Sequence, residues 1–189
     1  MVLDSSAKEE IQLIQKVQKK GDIAAADMLI KNYYDEILAY AYKQIGDKNS
    51  AMDLTQGIFI SMLKTISRYD NKKAGFRTWL YAIATNKIID FHRSRSVIRN
   101  KILDIDDVDI SDDSDFVKQL ENIDLAKRIQ EFVATFDVDL QRIFRLKIFG
   151  GHTFAEIAIM LEISESTVKT KYYRLIKQVR KEFLDEYYT

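Results

Sequence analysis

The side chains of this 189-residue chain that could do chemistry are mostly cations, and their grouping suits them to bind anions. Between Leu63 and Lys101 stand ten basic residues (Lys64, Arg68, Lys72, Lys73, Arg77, Lys87, Arg93, Arg95, Arg99 and Lys101) against Asp70 and Asp90 alone, a local charge of +8. From Ile102 to Glu121 the sign inverts to −7, and from Ser164 to Glu182 it returns to +4. Two basic blocks around an acidic connector suggest two polyanion-binding modules, a pattern that the formal net charge of zero conceals. Bond-breaking chemistry has little to work with. The absence of cysteine removes disulfides, thiolate metal sites and thiol nucleophiles. Of the two histidines, His92 falls on a basic face and His152 in a turn beside a helix start. No phosphate-binding glycine loop, nucleophile motif or metal-ligand spacing is present. The expectation is a protein that is not an enzyme and holds no cofactor and no metal.

The elements that position these charges read at the helical period throughout. Proline is absent, glycine numbers six, and 47% of residues are hydrophobic, which suits a helical core and not a sheet rich in Gly/Pro turns. Ser6-x-x-Glu9 is a capping-box pattern ahead of Ile11, Ile14 and Val17. Gly21-Asp22 then restarts the chain into a stripe of Met28, Leu29, Tyr33, Ile37, Tyr40 and Ala41 that stops near Gly46. A third helix is expected from about Ser50, with Ala51, Leu54, Ile58, Met62 and Ile66 inward and Gly57 suggesting close packing. After a polar, basic loop over Ser67–Gly75, a fourth helix runs from Phe76 and faces Phe76, Leu80, Ile83, Ala84, Ile88 and Phe91 inward. Further helices are expected over 115–135, 138–149, 154–161 and 165–187. The fold class is all-α, with two small helical domains at 1–96 and 115–189 joined by an acidic linker at 97–114. No run approaches the ~18 apolar residues of a membrane span, and Met1–Glu10 lacks the apolar core of a secretory signal. A cytoplasmic protein without membrane insertion is the default.

The C-terminal part has the layout of a helix-turn-helix. Thr153-x-x-Glu156 is a second capping box, and a short helix buries Phe154, Ile157, Ala158 and Leu161. Glu162-Ile163-Ser164 turns the chain, with Ser164 placed to cap the next helix. That helix buries Val168, Tyr172, Leu175 and Val179. It leaves Ser166, Thr167, Lys169, Thr170, Lys171 and Arg174 near its start, where hydroxyls and long cations reach base edges and phosphates in a major groove.

Two further segments stand out: Asp53-Leu54-Thr55-Gln56-Gly57-Ile58-Phe59, and Phe76-Arg77-Thr78-Trp79-Leu80-Tyr81-Ala82-Ile83-Ala84-Thr85-Asn86-Lys87 running on to Asp90-Phe91-His92-Arg93. Together with the helix-turn-helix, they resemble bacterial RNA polymerase sigma factors of the extracytoplasmic-function (group 4) type, from about Tyr33 to Arg180. The resemblance implies an all-α fold with sigma region 2 followed by region 4. It implies a factor that joins core RNA polymerase and directs promoter-specific initiation by reading the −10 and −35 elements of promoter DNA. In this reading Asp53, Leu54, Gln56 and Phe59 dock on the clamp helices of the β′ subunit. Asn71, Lys72 and Lys73 sit in the loop that captures a −10 base, and Asn86 lies on the helix facing it. Arg77, Lys87, Arg93 and Arg95 contact phosphates near −10, while Trp79 and Leu80 are mainly core. Ser166, Thr167, Lys169, Thr170, Lys171 and Arg174 read −35, and helix 138–149 meets the β flap. An anti-sigma factor is a further partner the resemblance brings in.

The linker, about nineteen residues long, spans at most roughly 65 Å when extended, nearly two turns of B-DNA at ~34–36 Å each. Its aspartates are expected to repel phosphate or screen the basic faces until core polymerase separates the domains. Three positions depart from the family. No proline precedes Leu140, Glu162 stands where the turn usually has glycine, and Ala82-Ile83 replaces the paired tryptophans of housekeeping sigma factors. The last fits group 4 and implies melting without an aromatic wedge, hence strict promoter choice. Two rival readings remain. A stand-alone helix-turn-helix regulator leaves Asp53–Gln56 without a purpose. A mobile-element sigma-like factor would assist another sigma instead of replacing it.

Overall fold

A computed structural model describes residues 5–99 and 127–183, and every element among them is helical. The first half comprises α1 (Ser5–Lys20), α2 (Ile23–Ile45), α3 (Lys48–Thr65), a single 3-10 turn (Ile66–Arg68) and α4 (Phe76–Arg99). The second comprises α5, described over 127–133, then α6 (Val138–Ile148), α7 (Phe154–Leu161) and α8 (Glu165–Phe183). Most of the expected linker lies outside the described residues, since only the part up to Arg99 falls within them, as the end of α4. Residues 115–126 of the expected fifth helix also lie outside them.

Short polar residues fix the helix starts by accepting otherwise orphaned backbone N–H groups, each such cap being worth about 1 kcal/mol. Asp22 accepts from Ala25 N at 3.0 Å, Asp47 from Ser50 N at 2.7 Å and Asp137 from Leu140 N at 3.0 Å. Thr153 and Glu156 form the expected reciprocal capping box. Two starts differ from expectation. α3 begins at Lys48 because Asp47 is its cap, and α1 begins at Ser5, so Ser6 lies inside the helix. α2 ends at Gly46, whose φ of 76° is the left-handed conformation that closes a helix most cheaply with glycine.

The core of the first half is built from Leu29, Ile37, Tyr40 and Ala41 of α2, Ala51, Ile58 and Met62 of α3, and Phe76, Leu80, Ala84 and Ile88 of α4. Removing such side chains from water is what holds short helices together. Gly57 is not a close-packing site: a Cβ there would meet nothing within 4 Å. α4 also buries Tyr81, Thr85 and Ile89, off the expected stripe. Against α4 lie α6 and α7 of the second half. Ile143, Leu146, Ile157, Ala158 and Val168 join the same apolar cluster as the first half. A second, smaller cluster gathers Val133, Phe144, Leu175, Val179 and Phe183 beneath α5, α6 and α8.

Candidate functional site

On α3, Asp53, Gln56, Ile60 and Leu63 are exposed and recur at helical spacing along one face. Ile60 is 53% exposed and Leu63 37%, so an apolar strip continues the polar pair of Asp53 and Gln56. Leu54 is half-buried. Phe59, expected on the docking face, is buried and stacks on Tyr34 with ring centroids 6.1 Å apart. It faces inward because α3 needs an aromatic anchor against α2. Ile60 and Leu63 are the exposed apolar residues of this face that the sequence reading passed over.

The loop from Ser67 to Gly75 has a pinned base and a free tip. Gln18 Nε2, from α1, donates to the Ile66 and Tyr69 carbonyls at 2.8 and 2.9 Å. The Tyr69 hydroxyl donates to Ala74 O at 2.9 Å, and its ring packs with Phe76 and Trp79. Asp70 Oδ1 accepts from Lys72 N at 2.9 Å. Asn71, Lys72 and Lys73 are thereby presented to solvent on a hydrogen-bonded turn. Trp79 is half-buried in that aromatic group and Leu80 fully buried, in line with a core role.

Along α4 the expected phosphate-binding residues differ in their surroundings. Arg93 is exposed and Lys87 half-buried, while the Arg95 side chain lies outside the described residues. Arg77 is held within the fold: its Nε donates to Glu36 Oε1 at 2.6 Å and its guanidinium lies 4.6 Å from the Tyr81 ring centroid. Tyr81 donates to the same Glu36 oxygen at 3.0 Å, so Arg77 ties α4 to α2. Asn86 is exposed, but its Oδ1 accepts from Arg142 Nε of α6 at 2.9 Å. Near its C-terminal end α4 presents Arg93 to solvent, Arg77 at its start is paired with Glu36, and its middle is engaged by the other half of the chain.

In the C-terminal module α7 and α8 form the expected helix-turn-helix. Val168, Leu175 and Val179 are buried. Ser164 Oγ caps α8 by accepting from Thr167 N at 3.1 Å. Ser166, Thr167, Lys169, Thr170 and Arg174 are exposed. Lys169 pairs with Glu165 at 2.7 Å, one turn away on the same helix. Lys171 turns towards α6 and Asp139 at 3.4 Å, so it is half-buried. Tyr173, 61% exposed among these residues, is a surface aromatic the sequence reading passed over. The turn is made by Glu162 at φ 55° and ψ 38°, the left-handed conformation in a residue that carries a Cβ.

His152 is not a surface loop residue. It is fully buried, its ring 4.6 Å from that of Tyr81 on α4. Neither ring nitrogen makes a hydrogen bond among the described residues, and Glu156 Oε2 stands 3.7 Å from Nδ1. Burial, with the Arg77 cation nearby, holds its pKa below the ordinary imidazole value, against the pull of Glu156 and Glu36. Sequence spacing gave no hint of this placement, which arises only because two distant helices meet. Among the described residues no group of histidine or acidic side chains is arranged to hold a metal.

Residues 29–98 match the family described as Sigma-70 region 2, and residues 126–179 match Sigma-70, region 4. Over 160 residues the chain is 31% identical to the ECF RNA polymerase sigma factor SigX of Bacillus subtilis, covering 82% of this chain and 81% of that protein. Over 179 residues it is 28% identical to SigW of the same organism, covering 90% and 95%. Among solved structures, CnrH in complex with the cytosolic domain of CnrY aligns with a TM-score of 0.64 at 17% identity, covering 97% of this chain and 99% of that one. The sigma factor RpoE in complex with the anti-sigma factor NepR from Bartonella quintana aligns with a TM-score of 0.54 at 16% identity, covering 82% and 94%. The two structures share its fold.

Proposed function

The chain belongs to the ECF RNA polymerase sigma factors, and from that premise we propose that it joins core polymerase through α3 and places two DNA-reading faces on a promoter. The observation that carries this reading is the separation of three exposed faces on one chain. Asp53 and Gln56, flanked by Ile60 and Leu63, offer an amphipathic docking strip for the clamp helices of β′. Asn71, Lys72 and Lys73 form an exposed, cationic loop tip suited to a −10 base and its phosphates. Ser166, Thr167, Lys169, Thr170 and Arg174 line the start of α8, which would enter the major groove at −35.

The two readers occupy residues 1–96 and 115–189 in this proposal, with the acidic linker between them and the β flap meeting α6. The chain supplies recognition, and the polymerase supplies the chemistry of RNA synthesis. Its work is placed in the cytoplasm with that enzyme; among the described residues no helix is long and apolar enough to cross a membrane. An anti-sigma factor, named as the partner of the solved RpoE structure, belongs to the same reading.

Gel filtration of the full chain with bacterial core polymerase tests the docking strip. A stable complex is expected, weakened at least tenfold by Asp53→Ala with Gln56→Ala if both polar contacts are lost. Sequence-specific DNA binding by the protein alone, with no polymerase complex, would overturn the reading in favour of a stand-alone helix-turn-helix regulator.

A further inference from the structure

α1 lies outside the residues that match Sigma-70 region 2, and one of its side chains ties down the loop from Ser67 to Gly75. Gln18, half-buried near the end of α1, donates from Nε2 to Ile66 O at 2.8 Å and to Tyr69 O at 2.9 Å. Both partners are carbonyl oxygens, 48 and 51 residues away in the chain, and a primary amide nitrogen carries two donors to meet them. These carbonyls bracket the 3-10 turn that follows α3. At Tyr69 the backbone becomes extended, with φ −68° and ψ 132°, and the loop tip departs from there. The return side is tied separately. The Tyr69 hydroxyl donates to Ala74 O at 2.9 Å, and its ring lies 5.1 Å from that of Trp79. Within the tip, Lys73 N donates to Asp70 O at 3.1 Å. The side chains of Asn71, Lys72 and Lys73 make no hydrogen bond or ion pair among the described residues, so the backbone sets where they point.

Resting on the sigma-factor reading, we propose that Gln18 is a positioning residue for the −10 element: by holding Ile66 O and Tyr69 O together it sets the direction in which Asn71, Lys72 and Lys73 meet the base. It touches no DNA itself. A recognition group must be held to about 0.5 Å of its productive geometry by the contacts behind it, and for this loop those contacts are Gln18 at the departure and Tyr69 at the return. Losing both amide donors lets the two carbonyls turn apart, and the tip then meets right and wrong bases alike. Leucine fills the space of glutamine and donates nothing. A lysine ammonium offers donors to the same two oxygens. Its added charge acts on every promoter sequence alike, so base preference, and not total transcription, separates positioning from general affinity.

Run-off transcription by core polymerase with the full chain, on promoters randomised at −10 or at −35, reads the base preference at each element. Gln18→Leu is expected to lower the preference at −10 about tenfold, with the −35 preference, the polymerase complex in gel filtration and helical circular dichroism retained. Gln18→Lys is expected to restore the −10 preference. Trp79, the single tryptophan, reports on the loop in the free chain through its contact with Tyr69. Its quenching by acrylamide should rise in Gln18→Leu and return to the wild-type value in Gln18→Lys. An unchanged −10 preference in Gln18→Leu overturns the proposal, as does an equal loss at both elements or a lysine variant no better than leucine. If the wild-type chain gives no selective transcripts, the sigma-factor reading falls, whereas unaltered Trp79 quenching in Gln18→Leu overturns the loop anchor by itself.

Discussion

Replacing Glu162 by glycine removes the one backbone strain visible in the DNA-reading half. Glu162 is the non-glycine residue with positive φ among the described residues, at 55°, and it makes the turn between α7 and α8. The left-handed conformation costs a residue with a Cβ roughly 1–2 kcal/mol. Glycine's freer unfolded chain offsets about 0.4–1 kcal/mol of that. The backbone N–H of Glu162, which bonds back to Ile159 O at 3.4 Å, survives the substitution. Its side chain is exposed and makes no ion pair among the described residues, so little else is lost. The expected net gain is about 0.5–1 kcal/mol. At ~2–4 °C per kcal/mol for a chain of this size, the melting temperature rises by about 1–4 °C. Thermal unfolding followed by circular dichroism reads this directly, with Glu162→Ala alongside. Alanine keeps the Cβ and therefore the strain, so it should not gain. A loss with glycine, or an equal gain with alanine, would refute the strain argument.

Gly57→Ala should stabilise α3 by about 1 kcal/mol in urea unfolding, because a Cβ meets open space there and alanine is the better helix former. A destabilised variant would show crowding that the structure lacks. Arg174→Ala should cost about 1–3 kcal/mol of promoter affinity confined to one base position if Arg174 reads a guanine, whereas a uniform loss over all sequences would mean a phosphate contact. His152 makes stability depend on pH. Its folded pKa is lowered from the ordinary 6.5, so the unfolded chain binds the proton more readily. Stability is therefore complete above pH 6.5 and falls as the pH drops through it, by up to about 1.4 kcal/mol per unit. Glu156, held low chiefly by the Thr153 backbone N–H, adds its own loss only below its ordinary 4.5. His152→Leu should flatten the profile from about pH 6.5 downward, and an unchanged slope would place the titration elsewhere.

Several features that depend on neighbours in sequence were legible in the residues. The capping box at Thr153 and Glu156, the stop at Gly46 and the buried stripe of Phe76, Leu80, Ala84 and Ile88 follow from spacing alone. The strained turn comes instead from the resemblance, in which glutamate stands where the family usually has glycine. What spacing did not show in the site depends on contacts between elements. Phe59 and Ile60 are adjacent on α3, and only the packing of Tyr34 decides which of them turns inward. Arg77 reads as a free cation in the sequence, and Glu36, 41 residues away in the chain, holds it. The seam of Arg142, Arg145 and His152 with Asn86, Gln44 and Tyr81 links segments 56 to 101 residues apart in its polar bonds. Period and propensity carry no information about such pairs. Its trace in the sequence is the second buried side of α4, marked by Tyr81 and Thr85, which is polar enough to pass for an exposed face.

Run-off transcription with bacterial core polymerase on a pool of promoter fragments, with and without this protein, tests its role as a sigma factor most directly. Selective transcripts should appear only when the protein is present and disappear with Asp53→Ala plus Gln56→Ala. The same transcript pattern with and without the protein would contradict that role.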